Sequence, residues 1–228
     1  MMTSIAALLL PLALMQAGAA ATVDVDARNA QRFTQCVAMI DDDAGHAYEE
    51  AMAWAADDQS VSAYRCAAMA LIAQNRAAEG ARRLDSLASA VNPAQTGMRA
   101  ALLSQAGNAW LLARDPAHAR SSFTRAIVTM QSAPSDLPDL LIDRARAYAM
   151  ESDWRHAEED LSRALDIRRN DALALRLRAT ARMHQRLFEL AEADALAAAR
   201  IEPNNVENYL ILGHVRESQR TGTVVEEQ

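Results

Sequence analysis

Lysine is absent from this 228-residue chain, and all 23 of its basic residues are arginine. That bias reflects genome composition rather than mechanism. The charge balance is more restrictive: against 30 acidic residues the formal net charge is −7. An acidic chain has no basis for gripping nucleic-acid phosphates. Only seven glycines occur, and they form no GxGxxG, P-loop or GxSxG phrase, which removes the nucleotide-cradle and nucleophile-elbow signatures. The two cysteines, Cys36 and Cys66, make no CxxC, so redox catalysis has no motif to rest on. No HExxH or His/Cys cluster supports a metal site. Aromatic residues make up only 4% of the chain although 51% is hydrophobic. No catalytic residue, cofactor site or metal site is expected.

Residues 1–21 have the layout of a secretory signal peptide. An apolar run from Ile5 to Met15 is followed by small residues, with cleavage expected after Ala19 or Ala21. No arginine precedes the run, which departs from that layout. The alternative is an uncleaved segment anchoring the chain in an inner membrane. It is disfavoured because the run, interrupted by Pro11, is about half of the ~20 residues a span needs. Residues 22–27 then read as a linker.

What the chain does have is a recurring phrase. It reads Ala119-x3-Phe123-x2-Ala126, Ala157-x3-Leu161-x2-Ala164 and Ala191-x3-Ala195-x2-Ala198. The leading alanines are 38 and 34 residues apart. Twelve residues before each stands a complementary phrase: Leu103, Gly107 and Trp110; Leu141, Ala145 and Tyr148; Leu175, Ala179 and Arg182. Small residues let two helix backbones approach, and the large ones fill the space on either side. Tyr209 and Gly213 repeat the first-helix phrase after Pro203. Upstream, Tyr64, Ala68 and Leu71 precede Gly80, Leu84 and Leu87, and looser matches reach back to Gln31. The longer intervals carry their extra residues in Pro-containing clusters at 92–98 and 133–138.

These phrases resemble the tetratricopeptide repeat (TPR) of exported bacterial proteins. The resemblance implies an all-α fold, a right-handed α-solenoid of stacked antiparallel helix pairs. About eleven helices are expected, with repeats at about 28–60, 61–99, 100–137, 138–171 and 172–205. A capping helix over 206–219 and a disordered tail over 220–228 complete the expected chain. It further implies a groove lined by first helices, here including Arg65, Met69, Asn108, Leu111, Arg146, Arg176 and Thr180. Asn108 matches the asparagine of the family's carboxylate clamp, but the basic partner four residues earlier is Ser104. The groove is either a peptide site or a solvated surface.

The remaining polar residues read blandly. His46, His118 and His156 each stand one residue before a second helix's opening small residue and are expected as solvated helix starts; His184 and His214 are isolated. The runs Asp41–Asp43 and Glu158–Asp160 read as solvated charge near helix N-termini. Met150, Met183, Trp110 and Trp154 are expected in the core or lining the groove. Cys36 and Cys66, on neighbouring first helices, either form a disulfide or are two small buried side chains.

The functional expectation is a non-enzymatic periplasmic or secreted scaffold that binds an envelope protein or peptide of unstated identity. Nucleic acid is not expected as a partner, nor is a stable membrane anchor once the signal is removed. The competing expectations are self-association through an exposed end and, third, an uncharacterised enzyme.

Overall fold

The turns show first how the sequence is punctuated. The structure, a computed structural model, describes the backbone of residues 12–130 and 137–225, and the side chains within them from residue 27 onward. Among these residues there are eleven helices and no strand. Residues 1–11 of the expected signal segment lie outside the described residues, and residues 12–27, including the expected linker, fall within the first helix.

The chain divides into two units, Met1–Gln74 and Asn75–Gln228. The first contains α1 (Leu12–Asp42), α2 (Ala44–Asp58) and α3 (Val61–Ala73). Asp43 caps α2 by accepting the amides of Gly45 and His46 at 2.9 and 3.0 Å, and Ser60 caps α3 through the amide of Ala63. The core gathers Cys36, Ala51, Cys66 and Ala67 under Phe33, Ile40, Tyr48 and Met52. Cys36 and Cys66 are placed as a disulfide, with Cα atoms 6.3 Å apart.

The second unit contains α4 (Ala77–Ala90), α5 (Thr96–Leu112), α6 (Pro116–Thr129), α7 (Leu137–Met150), α8 (Trp154–Ile167), α9 (Ala172–His184), α10 (Phe188–Ile201) and α11 (Val206–Thr221). Helices α5 and α6, α7 and α8, and α9 and α10 form antiparallel pairs, each pair packing on the next. Between the two helices of each pair one residue takes a left-handed conformation: Arg114 at φ 56°, Ser152 at 58° and Arg186 at 64°. Behind each, an amide bonds a carbonyl five residues back: Asp115 to Trp110, Asp153 to Tyr148 and Leu187 to Arg182, all at 2.9 Å. This closure satisfies orphan carbonyls at the helix end. Aspartates then open the second helices, Asp115 for α6 and Asp153 for α8, and Pro116 takes the first position of α6.

The small/large phrases are the seams. Phe123, Ala119 and Ala126 are fully buried, and Phe123 crosses the face of α5 so closely that a Cβ on Gly107 would lie 2.5 Å from its ring. Ala145 with Ala157 and Ala179 with Ala191 occupy the same places in the next two pairs, all at most 1% exposed.

One layer of this packing was not foreseen. Arg144 on α7 forms a two-pronged bond with Asp160 on α8, both at 2.7 Å, and reaches the hydroxyl of Thr124 on α6. Thirty-four residues on, Arg178 repeats the bond with Asp194 at 2.8 Å and reaches Ser162 on α8. Asp160 is only 3% exposed, so the expected solvated run Glu158–Asp160 is corrected at this residue. Its charge faces the seam and is met by an arginine, as a buried charge must be. Glu158 likewise pairs with Arg182 at 2.8 Å, and only Glu159 keeps an exposed partner, Arg155.

The tail expected from residue 220 is also corrected. Arg220 and Thr221 complete α11, Gly222 closes it at φ 71°, and Val224 packs on the core formed by Met183, Leu212 and Val215. Its apolar side chain finds cover there, and Ser218 accepts the Val225 amide at 3.0 Å. Residues 226–228 lie outside the described residues.

Candidate binding groove

The residue following each small first-helix anchor stands at one register. In the second unit these are Asn108, Arg146, Thr180 and His214, one each on α5, α7, α9 and α11. They border two adjoining concavities. The larger, about 710 Å³, lies among α7, α8, α9 and α11, and the smaller, about 380 Å³, lies between α5 and α7. Arg146 and Met150 line both. Of the seven expected groove residues, Asn108, Leu111, Arg146, Arg176 and Thr180 are brought together here.

Arg65 and Met69 belong to α3 in the first unit. Arg65 lies over the Phe33 ring at 4.8 Å, and burial holds its guanidinium below the usual arginine range.

The clamp position is already engaged from within. Asn108 Nδ2 donates to the Ser104 carbonyl and to Asp143 Oδ2, each at 3.2 Å. A chain carboxylate therefore stands where a ligand carboxylate would, and Ser104 contributes a carbonyl rather than a cation. Arg146, about half exposed, uses one nitrogen on Asp143 at 3.2 Å. Thr180 Oγ1 donates to the Arg176 carbonyl. Arg176 reaches only the neutral Asn208 Oδ1, at 3.4 Å, and has no carboxylate partner among the described residues.

The larger concavity owes its depth to Ala145, Ala149, Ala157 and Ala181, where short side chains leave space between helices. Met150, Trp154, Leu177 and Leu210 give it apolar walls. Met183 and Trp110 are instead buried core residues. Trp154 is held flat against His184, ring centroids 3.8 Å apart and planes 4° apart, so His184 is not isolated. His214 borders the same space with a buried Nδ1 that has no hydrogen-bond partner among the described residues.

Two of the three helix-start histidines, His118 and His156, make ordered contacts while remaining partly exposed. His118 stacks on Trp110 at 4.6 Å and His156 on Tyr148 at 5.1 Å, and each imidazole bonds its own capping aspartate. The backbone N–H of His118 holds the Asp115 carboxyl below its ordinary range. No group of three or more metal-ligating side chains occurs among the described residues, and no described helix is long and apolar enough to cross a membrane.

Among solved structures, the C-terminal part of a TPR repeat-containing protein from Cytophaga hutchinsonii superposes with a TM-score of 0.67, covering 83% of this chain and 72% of that one, at 12% identity. The chain has the fold of a tetratricopeptide-repeat protein. The TPR solenoid, built of stacked antiparallel helix pairs, is thus the architecture. Shorter TPR domains also match. The first TPR domain of human RPAP3 is 26% identical over 54% of this chain and 93% of that one, with a TM-score of 0.49. The Sgt2 TPR domain from Aspergillus fumigatus is 20% identical over 57% and 87%, with a TM-score of 0.48. No family model matches the sequence, and no curated protein matches it.

What could sequence reasoning have found? The buried ion pairs carry a signal, Arg-x15-Asp repeated at the 34-residue period. The cavity carries none, because its alanines come from three helices and are individually ordinary.

Proposed function

We propose that this TPR protein is a non-enzymatic scaffold of the bacterial envelope, exported to the periplasm, that binds a protein partner along the first-helix row of its second unit. The observation that supports the reading most is the row itself. Asn108, Arg146, Thr180 and His214 are polar side chains at one helix register beside exposed apolar ones, Leu112 at 69% and Met150 at 46% exposure. Exposed apolar surface rimmed by polar groups marks interaction sites. Repeat solenoids present such extended surfaces to other chains. Export is supported by the layout of residues 1–21 and by a cysteine pair placed for oxidation.

The test is site-specific photo-crosslinking in the periplasm. A benzophenone side chain at Leu112 should trap one discrete partner, whereas the same group at Val128, exposed on the second helix α6, should not. Equal trapping at both sites refutes the groove. Two reactive thiols per chain, after unfolding periplasmic protein without reductant, refute an oxidised cysteine pair.

A second reading, self-association, rests on α11. Val206, Tyr209 and Leu210 are 67%, 49% and 50% exposed, and no described second helix covers them. A monomeric mass at micromolar concentration counts against it.

A further inference from the structure

The larger concavity has a chemistry of its own. Its floor and walls are apolar, but its border reverses the sign of the chain: Arg146 and Arg176 face a single lining carboxylate, Glu207, in a molecule of net charge −7. The arginines around it show why Arg176 stands out. Arg144, Arg178 and Arg182 each grip an aspartate or glutamate at 2.7–2.8 Å. Arg176, partly buried at the border of the concavity, makes one bond that is long and goes to a neutral amide. A partly buried guanidinium leaves strong, geometrically fixed donors unused in such a setting, and a carboxylate is the group that fits them bidentately.

The space beside it, about 710 Å³, is in the range that accommodates a whole aromatic side chain and its neighbours. Met150, Trp154 and Leu210 offer such a ring apolar contact on three sides. The concavity continues past Arg146 and Met150 into the smaller one at Leu111 and Leu112. A bound chain therefore has room to run on, as an internal segment does.

We infer, building on the partner-binding reading of this face, that the α7–α9–α11 cavity anchors a partner segment through one large apolar side chain next to an acidic one, with the acid's carboxylate held by Arg176 and Arg146. The anchor differs from a clamp at Asn108, which Asp143 already fills. It selects an acidic side chain within a chain.

Fluorescence anisotropy of the purified full chain with the labelled, amidated peptide GSGFEGSG tests it. The peptide should bind, and GSGFQGSG and GSGAEGSG should each bind at least about tenfold more weakly. Arg176→Gln should weaken GSGFEGSG by a similar factor and leave GSGFQGSG unchanged, which separates loss of the charge contact from general damage. Ala149→Phe, filling the cavity from a half-buried position, should abolish binding; if that variant unfolds, the Arg176→Gln comparison still decides. Equal binding of the acid and amide peptides, insensitivity to Arg176→Gln, or no binding of GSGFEGSG overturns the inference. If a partner is still trapped at Leu112 in any of these cases, the scaffold reading stands and only the acidic anchor falls.

Discussion

Helices α5 and α11 carry the same phrase, with Gly107 and Gly213 at its centre, yet they live in opposite surroundings. On α5 the phrase is filled: a Cβ at Gly107 would strike the Phe123 ring, and Leu103 before it is 1% exposed. On α11 the phrase is open: among the described residues, and apart from the helix's own neighbouring backbone, nothing lies within 4 Å of a Cβ at Gly213, and Tyr209 is half exposed. One pattern thus marks a place for a second helix, which on α11 no described helix fills. The glycine on α5 is needed for close approach, whereas that on α11 only lowers helix propensity.

The contrast is broken most directly at the side chain that fills the seam. Phe123→Ala should destabilise by about 3–5 kcal/mol, since it removes a fully buried ring and leaves a cavity. Tyr209→Ala should cost less than about 0.5 kcal/mol. Chemical denaturation of both variants checks the pair; similar losses would mean that α11 is covered in solution. The glycines sharpen the point. Gly107→Ala should destabilise by about 1–3 kcal/mol, because the buried Phe123 cannot withdraw without disturbing the seam. Gly213→Ala should stabilise by up to about 1 kcal/mol, the ordinary helix-propensity gain. A destabilised Gly213→Ala with a concentration-dependent melting point would reveal a copy seated on that face.

The clarity of the phrase explains what could be read in the sequence. Alanines recur because backbones touch there, and contact at fixed intervals leaves a periodic trace. The left-handed closures left none, since Arg114, Ser152 and Arg186 are not glycines and the helix-end bonds they allow are main-chain bonds. The acid at Asp160 was misread for a related reason. A carboxylate in a charged run looks solvated until its partner, 16 residues earlier on another helix, is known. Five of the seven groove residues follow from first-helix register, whereas the cavity depends on which alanines from different helices meet.

Those closures give a smaller effect. Ser152→Gly should stabilise by a few tenths to about 1 kcal/mol, because glycine takes φ 58° without strain. The equivalent position on α11, Gly222, is already glycine, so its replacement by alanine should have the opposite sign. Thermal melts of the two variants check the signs.

The smallest effect separates α6 from α11 by acid. Asp115 caps α6, and its carboxyl is held below the ordinary range, chiefly by the His118 amide. A depressed folded-state pKa contributes stability that is fully present above the unfolded value, near 3.9, and is lost as pH falls from there through the lower folded value. Helix α11 is capped by Asn205, which does not titrate. Hydrogen exchange between pH 5 and 3, corrected for intrinsic rates, should show protection lost at the start of α6 before that of α11. Asp115→Asn should remove the difference.

The arginine bridges have a consequence for how such a chain grows. Arg144 draws a hydroxyl from the preceding pair and an aspartate from its own, and Ser162 in that same pair then serves Arg178. Residues 138–171 therefore carry one arginine that looks backward, one acid that holds it, and one hydroxyl offered forward. A tandem copy of this segment would meet each of its needs at both junctions. Duplication could lengthen the array without stranding a buried charge, and deletion of the segment would leave Arg178 facing Thr124, the hydroxyl that Arg144 uses now. The polar contacts make this one pair repeatable in sequence order while keeping its register on its neighbours.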